Sequence, residues 1–158
     1  MRWPRLHMSV LFASIVAAVA VFGTIFVSQP AYALCLSPKE EGDWKNVDPN
    51  TRGIVAIRVR FVCQDTPVDG QPCCPPGPPY YMRLWGACAP TACDWGQVGA
   101  NRNGAGDIYG FYNHGYATHE VWVAMSANQP GKLWVTVRTN FVDPNRPDTV
   151  MDQFFVRQ

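Results

Sequence analysis

Charge is scarce in this sequence, and nowhere does it gather. Thirteen Lys and Arg face twelve Asp and Glu over 158 residues, a net of +1. No basic run is present, so a nucleic-acid partner is not expected. There is no acidic tail and no polybasic segment for a charged membrane surface. Histidine is scarcer still. Of three in the chain, only His114 and His119 lie beyond the N-terminal leader. No Ser-centred elbow, His-Glu-x-x-His, Cys-His-Asn order or Walker loop occurs. Beyond residue 33 no segment carries a 3.6-residue apolar period, which leaves no helix to expect. Neither a cofactor nor a metal site is expected from these residues.

What is abundant is aromatic side chains, proline and glycine: six Trp, six Tyr, eight Phe, fourteen Pro and thirteen Gly. That mixture suits strands and turns. It follows a leader of a different kind. Arg2 and Arg5 precede an uncharged run from Met8 to Val27, then Pro30 and the small-x-small triplet Ala31-Tyr32-Ala33. The pattern reads as a secretory signal peptide over residues 1–33, cut after Ala33, leaving 34–158 as one domain that is secreted or held in the periplasm or cell envelope. The apolar run is long enough to serve instead as a retained membrane anchor.

All six cysteines (Cys35, Cys63, Cys73, Cys74, Cys88, Cys93) fall after the leader. An even number in an exported domain reads as a disulfide framework. Cys88 and Cys93 flank Pro90-Thr91, a turn that brings them within bridging reach, so this pair is favoured. Cys63 is then left for Cys73 or Cys74, and the other for Cys35. A zinc site from Cys88, Cys93, Cys73 and Cys74 is the alternative that export argues against.

The strands are legible as period-two alternation. Gly42–Asn46 opens the domain. Val55, Ile57, Val59 and Phe61 alternate with Ala56, Arg58 and Arg60. Residues 80–88, 94–100, 107–112, 118–127, 132–142 and 149–157 follow, separated by turns such as Asn128-Gln129-Pro130-Gly131. Residues 64–79 hold too many prolines for any regular element. The list gives an all-β antiparallel meander of about seven or eight strands, which a closed barrel or a β-sandwich would satisfy.

Gly42-Asp43-Trp44 before the first long strand, with Arg157 near the end of the last, resembles the lipocalin- and avidin-like (calycin) barrels. In that fold the indole packs against a terminal arginine and closes one end of the barrel, which implies structural roles for Trp44 and Arg157. The run Trp85-Gly86-Ala87-Cys88-Ala89-Pro90-Thr91-Ala92-Cys93-Asp94-Trp95-Gly96, together with Gly42 to Ile54, is similar to a domain of exported bacterial proteins of unknown function. This second resemblance implies a compartment and no activity. Trp85 and Trp95 are expected to approach each other across the stapled hairpin.

Three functions fit these residues. The first is a non-catalytic binding protein holding a small ligand or glycan at a barrel mouth, with Trp122, Trp134, Arg58, Arg138 and Tyr112 as contacts. Those aromatics equally fit core or barrel-end packing, and the arginines fit a wet outer face. The second is an interaction or inhibitor-like protein acting through the stiff loop 64–79. The third is a hydrolase using His114 or His119 with a carboxylate; the same histidines also read as ordinary loop and strand-surface residues.

Overall fold

The computed structural model describes residues 36–63 and 77–158. They belong to one compact unit, Leu34–Gln158. Eight strands occur in chain order: β1 Gly42–Asn46, β2 Ile54–Phe61, β3 Tyr80–Gly86, β4 Cys93–Arg102, β5 Ile108–Asn113, β6 Ala117–Met125, β7 Leu133–Phe141 and β8 Thr149–Arg157. Each pairs antiparallel with the next, and β8 returns to β1, so the sheet closes into a barrel. Among the described residues there is no helix. A sandwich is therefore ruled out. The expectations for loop residues 64–76 and for Cys35, Cys73 and Cys74 lie outside the described residues.

Alternation decides which side chains fill the interior. In β3, Tyr80, Met82 and Leu84 are buried while Tyr81, Arg83 and Trp85 are partly exposed. In β6 and β7, Val121 and Val123 meet Val137 and Val135 across the ladder, all facing in. Two places break the simple period. In β2 the register shifts between Ile54 and Ala56, and Ile54 faces the core where strict alternation expects Val55. In β4, Arg83 pairs with Gln97 but Trp85 pairs with Asp94, so Trp95 and Gly96 share the place opposite Leu84. Gly96 takes φ of 81° there, a conformation glycine adopts without steric cost.

One end of the barrel is plugged. The Trp44 indole is buried and donates to the Glu40 carbonyl at 2.9 Å. Arg157 pairs with Trp44 in the β1–β8 ladder and lays its guanidinium 4.4 Å from the indole centroid. The same guanidinium donates to the carbonyls of Glu41 at 2.5 Å and Lys39 at 2.7 Å. A Cβ on Gly42, whose φ is 145°, would run into Arg157. β2 ends and β3 begins at this plugged end. The other end carries the β1–β2, β3–β4, β5–β6 and β7–β8 connections and is open.

The seam of the barrel is short. β1 covers β8 only from Phe155 to Arg157. Below that the Gln153 side chain bridges the gap, accepting from Ile54 N at 2.9 Å and donating to Thr51 Oγ1 at 2.5 Å.

Candidate functional site: the open mouth of the barrel

A cavity of about 550 Å³ enters the barrel at the open end. That size lies within the range of small-molecule sites, which run to roughly 300–1,000 Å³. Its inner wall is built by residues at the open-end limits of the strands: Ile54 of β2, Gly86 of β3, Trp95 of β4, His119 of β6, and Val137 and Thr139 of β7. Tyr116, Phe141, Pro147 and Met151 form an apolar rim, and the Cys88–Cys93 disulfide forms one side.

Trp95 faces in because its neighbour Asp94 shares the outer face with Trp85 and ion-pairs with Arg83 there. Glycine at position 86 makes room: a Cβ there would clash with the Trp95 indole nitrogen. The indole lies 4.5 Å from the His119 ring, 5.2 Å from His114 and 5.7 Å from Tyr112, centroid to centroid. An aromatic cluster thus forms under the mouth.

His119 is its polar member. It is 4% exposed, and its Nδ1 lies 2.9 Å from Thr139 Oγ1 on β7. Its Nε2 is buried with no protein partner, the one such side-chain atom among the described residues. Burial, and then the nearby His114, push the His119 pKa down to about 4, so the imidazole is neutral at pH 7. Among the described residues the cavity is lined by no carboxylate, and its charged side chains are Arg52 and Arg146, on the β1–β2 and β7–β8 connections. The Arg146 guanidinium is held 3.7 Å over the Phe141 ring.

The residues singled out from sequence divide between this site and elsewhere. His114 and His119 are brought to 5.0 Å between ring centroids. No group of three or more metal-ligating side chains exists among the described residues. Tyr112 is buried beneath the mouth, its hydroxyl donating to the Met82 carbonyl at 3.0 Å; it is core packing with its polar atom satisfied. Burial raises its pKa further. Trp122 and Trp134 stand on the outer wall of β6 and β7, away from the cavity. Trp122 lies between Tyr109, at 5.5 Å, and the Arg138 guanidinium, at 5.3 Å. Arg138 also pairs with Glu120 at 3.4 Å.

Arg58 is likewise outside, ion-paired to Asp43 at 2.5 Å and 5.7 Å from the Trp85 ring. With Trp85 it borders a smaller cavity of about 230 Å³. Trp85 and Trp95 do not meet: they lie on opposite faces of the sheet, because Trp85 pairs with Asp94 and the next residue must face the other way. Cys88 and Cys93 are bonded to each other, which removes them from any zinc site. Cys63 is disulfide-bonded as well.

Trp95, Thr139, Arg52 and Arg146 belong to the cavity and carry no sequence signal for it. Only knowing which connections share an end of the barrel assembles them. No family model, curated protein or solved structure matches the chain.

Proposed function

We propose that this is an exported binding protein that holds a small organic ligand in the open mouth of the barrel. The observation that carries this reading is the cavity of about 550 Å³ at the open end, whose aromatic and apolar lining includes His119, a residue with its Nε2 buried and without a protein partner. Leaving such an atom unpaired costs roughly 1–3 kcal/mol, a cost that a ligand atom reaching it would remove. Apolar and aromatic walls with a few polar groups are the usual make-up of a ligand site. The binding determinants are His119, Trp95 and Thr139; the outer-wall Trp122, Trp134, Arg58 and Arg138 are left to the surface. Two features support export: the leader pattern of residues 1–33 and the Cys88–Cys93 disulfide. The Trp44–Arg157 plug supports kinship with the calycin barrels.

The test is native mass spectrometry of the protein purified from its own host. The expected spectrum contains a non-covalent adduct of small-molecule mass. That adduct should disappear in Val137→Phe, which adds bulk to the cavity wall. A bare mass for the unaltered protein, or an adduct that persists in the filled variant, would overturn the reading.

A further inference from the structure

Arginine in this protein almost always has an acceptor. Arg58 and Arg60 share Asp43, Arg83 pairs with Asp94, Arg102 with Glu40 and Arg138 with Glu120. Arg157 is spent on the carbonyls of Glu41 and Lys39. Among the described residues the exceptions are Arg52 and Arg146. Both are exposed, and both line the mouth cavity. They stand on different connections, β1–β2 and β7–β8, which the topology brings to the same end of the barrel. Stacking on Phe141 fixes the Arg146 head at the rim. Among the described residues no carboxylate in the lining balances them, so two positive charges sit at the mouth.

Such a distribution selects by charge. A guanidinium binds carboxylate, sulfonate or phosphate oxygens through paired, charge-assisted hydrogen bonds. Trp95 below the rim, and Tyr116 and Met151 at it, offer stacking and dispersion to a flat apolar body. From these observations we infer that the ligand is an amphipathic organic acid: a ring-bearing apolar body inside the mouth and an anionic head at Arg52 and Arg146. The inference rests on the cavity being a binding site. It adds the ligand's class.

A matched pair of fluorescent probes tests it on the full-length chain: 8-anilinonaphthalene-1-sulfonate, which is anionic, and N-phenyl-1-naphthylamine, the neutral molecule of the same ring framework. The sulfonate should bind at least about ten-fold more tightly than the neutral amine. Arg52→Gln and Arg146→Gln should each weaken the sulfonate by about ten-fold and leave the amine unchanged. Arg146→Lys, which keeps the charge and loses the fork, should fall between. Equal affinity for the two probes, or sulfonate binding that survives the double substitution, overturns the anion inference and leaves the cavity reading standing. Failure of both probes to bind overturns the two together.

Discussion

A single imidazole sets the chemistry of the mouth and also couples it to pH. His119 alternates inward with Val121 and Val123, so the strand carries it into the core whether or not it is charged. Its pKa of about 4 lies below the ordinary 6.5 because burial disfavours the imidazolium and His114 stands beside it. Between those two values the unfolded chain binds a proton that the native protein refuses, so stability rises with pH across that window. The contribution is complete above pH 6.5 and is lost as pH falls towards 4. Urea unfolding at pH 7.5 and 4.5 should therefore differ by about 2–3 kcal/mol, a difference that His119→Phe abolishes. The Asp43 carboxylate, held below its usual range by Arg58 and then Arg60, acts at lower pH, because its contribution is lost only beneath the ordinary carboxylate value. A pH profile that is flat from 7.5 to 4.5, or a slope retained in the phenylalanine variant, would contradict the assignment. Sequence alone left His119 as either a surface residue or a base. Its inward position was readable from the alternation Val121, Val123 and Met125, but which of its nitrogens is paired depends on Thr139, a residue on the neighbouring strand that meets Nδ1.

At the scale of the element, the β3–β4 hairpin shows what pattern reading reaches and where it stops. The Cys88–Cys93 bridge followed from the Pro-Thr turn between two cysteines, a purely local feature, and the two residues bond as expected. The strands themselves were equally local, since each is a run of alternation closed by turn formers. The bulges were not legible. An extra residue at Gly96 or a slipped register at Ile54 is selected by what the partner strand presents, and no single segment contains that information. Hence the expectation that the two hairpin tryptophans meet, when the sheet separates them. The same hairpin walls the cavity, which ties its stability to the site. Replacing Cys88 and Cys93 by serine opens a loop of sequence separation 5. By loop-closure entropy this should cost about 2 kcal/mol in thermal or urea unfolding. It should also weaken probe binding at the mouth, as the β3–β4 connection gains freedom beside Trp95. An unchanged midpoint with unchanged probe affinity would mean that the strands alone fix this wall.

For the whole molecule the decisive event is closure, and closure depends on the two ends of the domain finding each other. The β1–β8 ladder has only three residues on each side, from Trp44–Arg157 to Asn46–Phe155, as few as the β4–β5 ladder. Backbone pairing that short is reinforced by side chains above and below it: Gln153 towards the mouth, Arg157 at the plug. The resemblance of Gly42-Asp43-Trp44 and Arg157 to the calycin pattern made this contact foreseeable, because that pattern sets its two partners at the two ends of the domain. No comparable sign announced the mouth, whose rim residues are ordinary loop arginines and aromatics. Arg157→Ala removes stacking from a buried indole and strips two carbonyls, those of Glu41 and Lys39, of their donor. The expected loss is about 1–3 kcal/mol. Because the plug lies at the opposite end from the cavity, probe affinity at 25 °C should not change in the variant. Hydrogen exchange should instead report faster opening of β1 and β8 than of β6 and β7, whose ladder runs unbroken from Ala117 to Met125. A loss under about 0.5 kcal/mol, the range of an uninvolved surface site, would show that the seam holds without its arginine. Uniform loss of protection in all eight strands would show instead that closure is all-or-none and cannot be loosened at one seam.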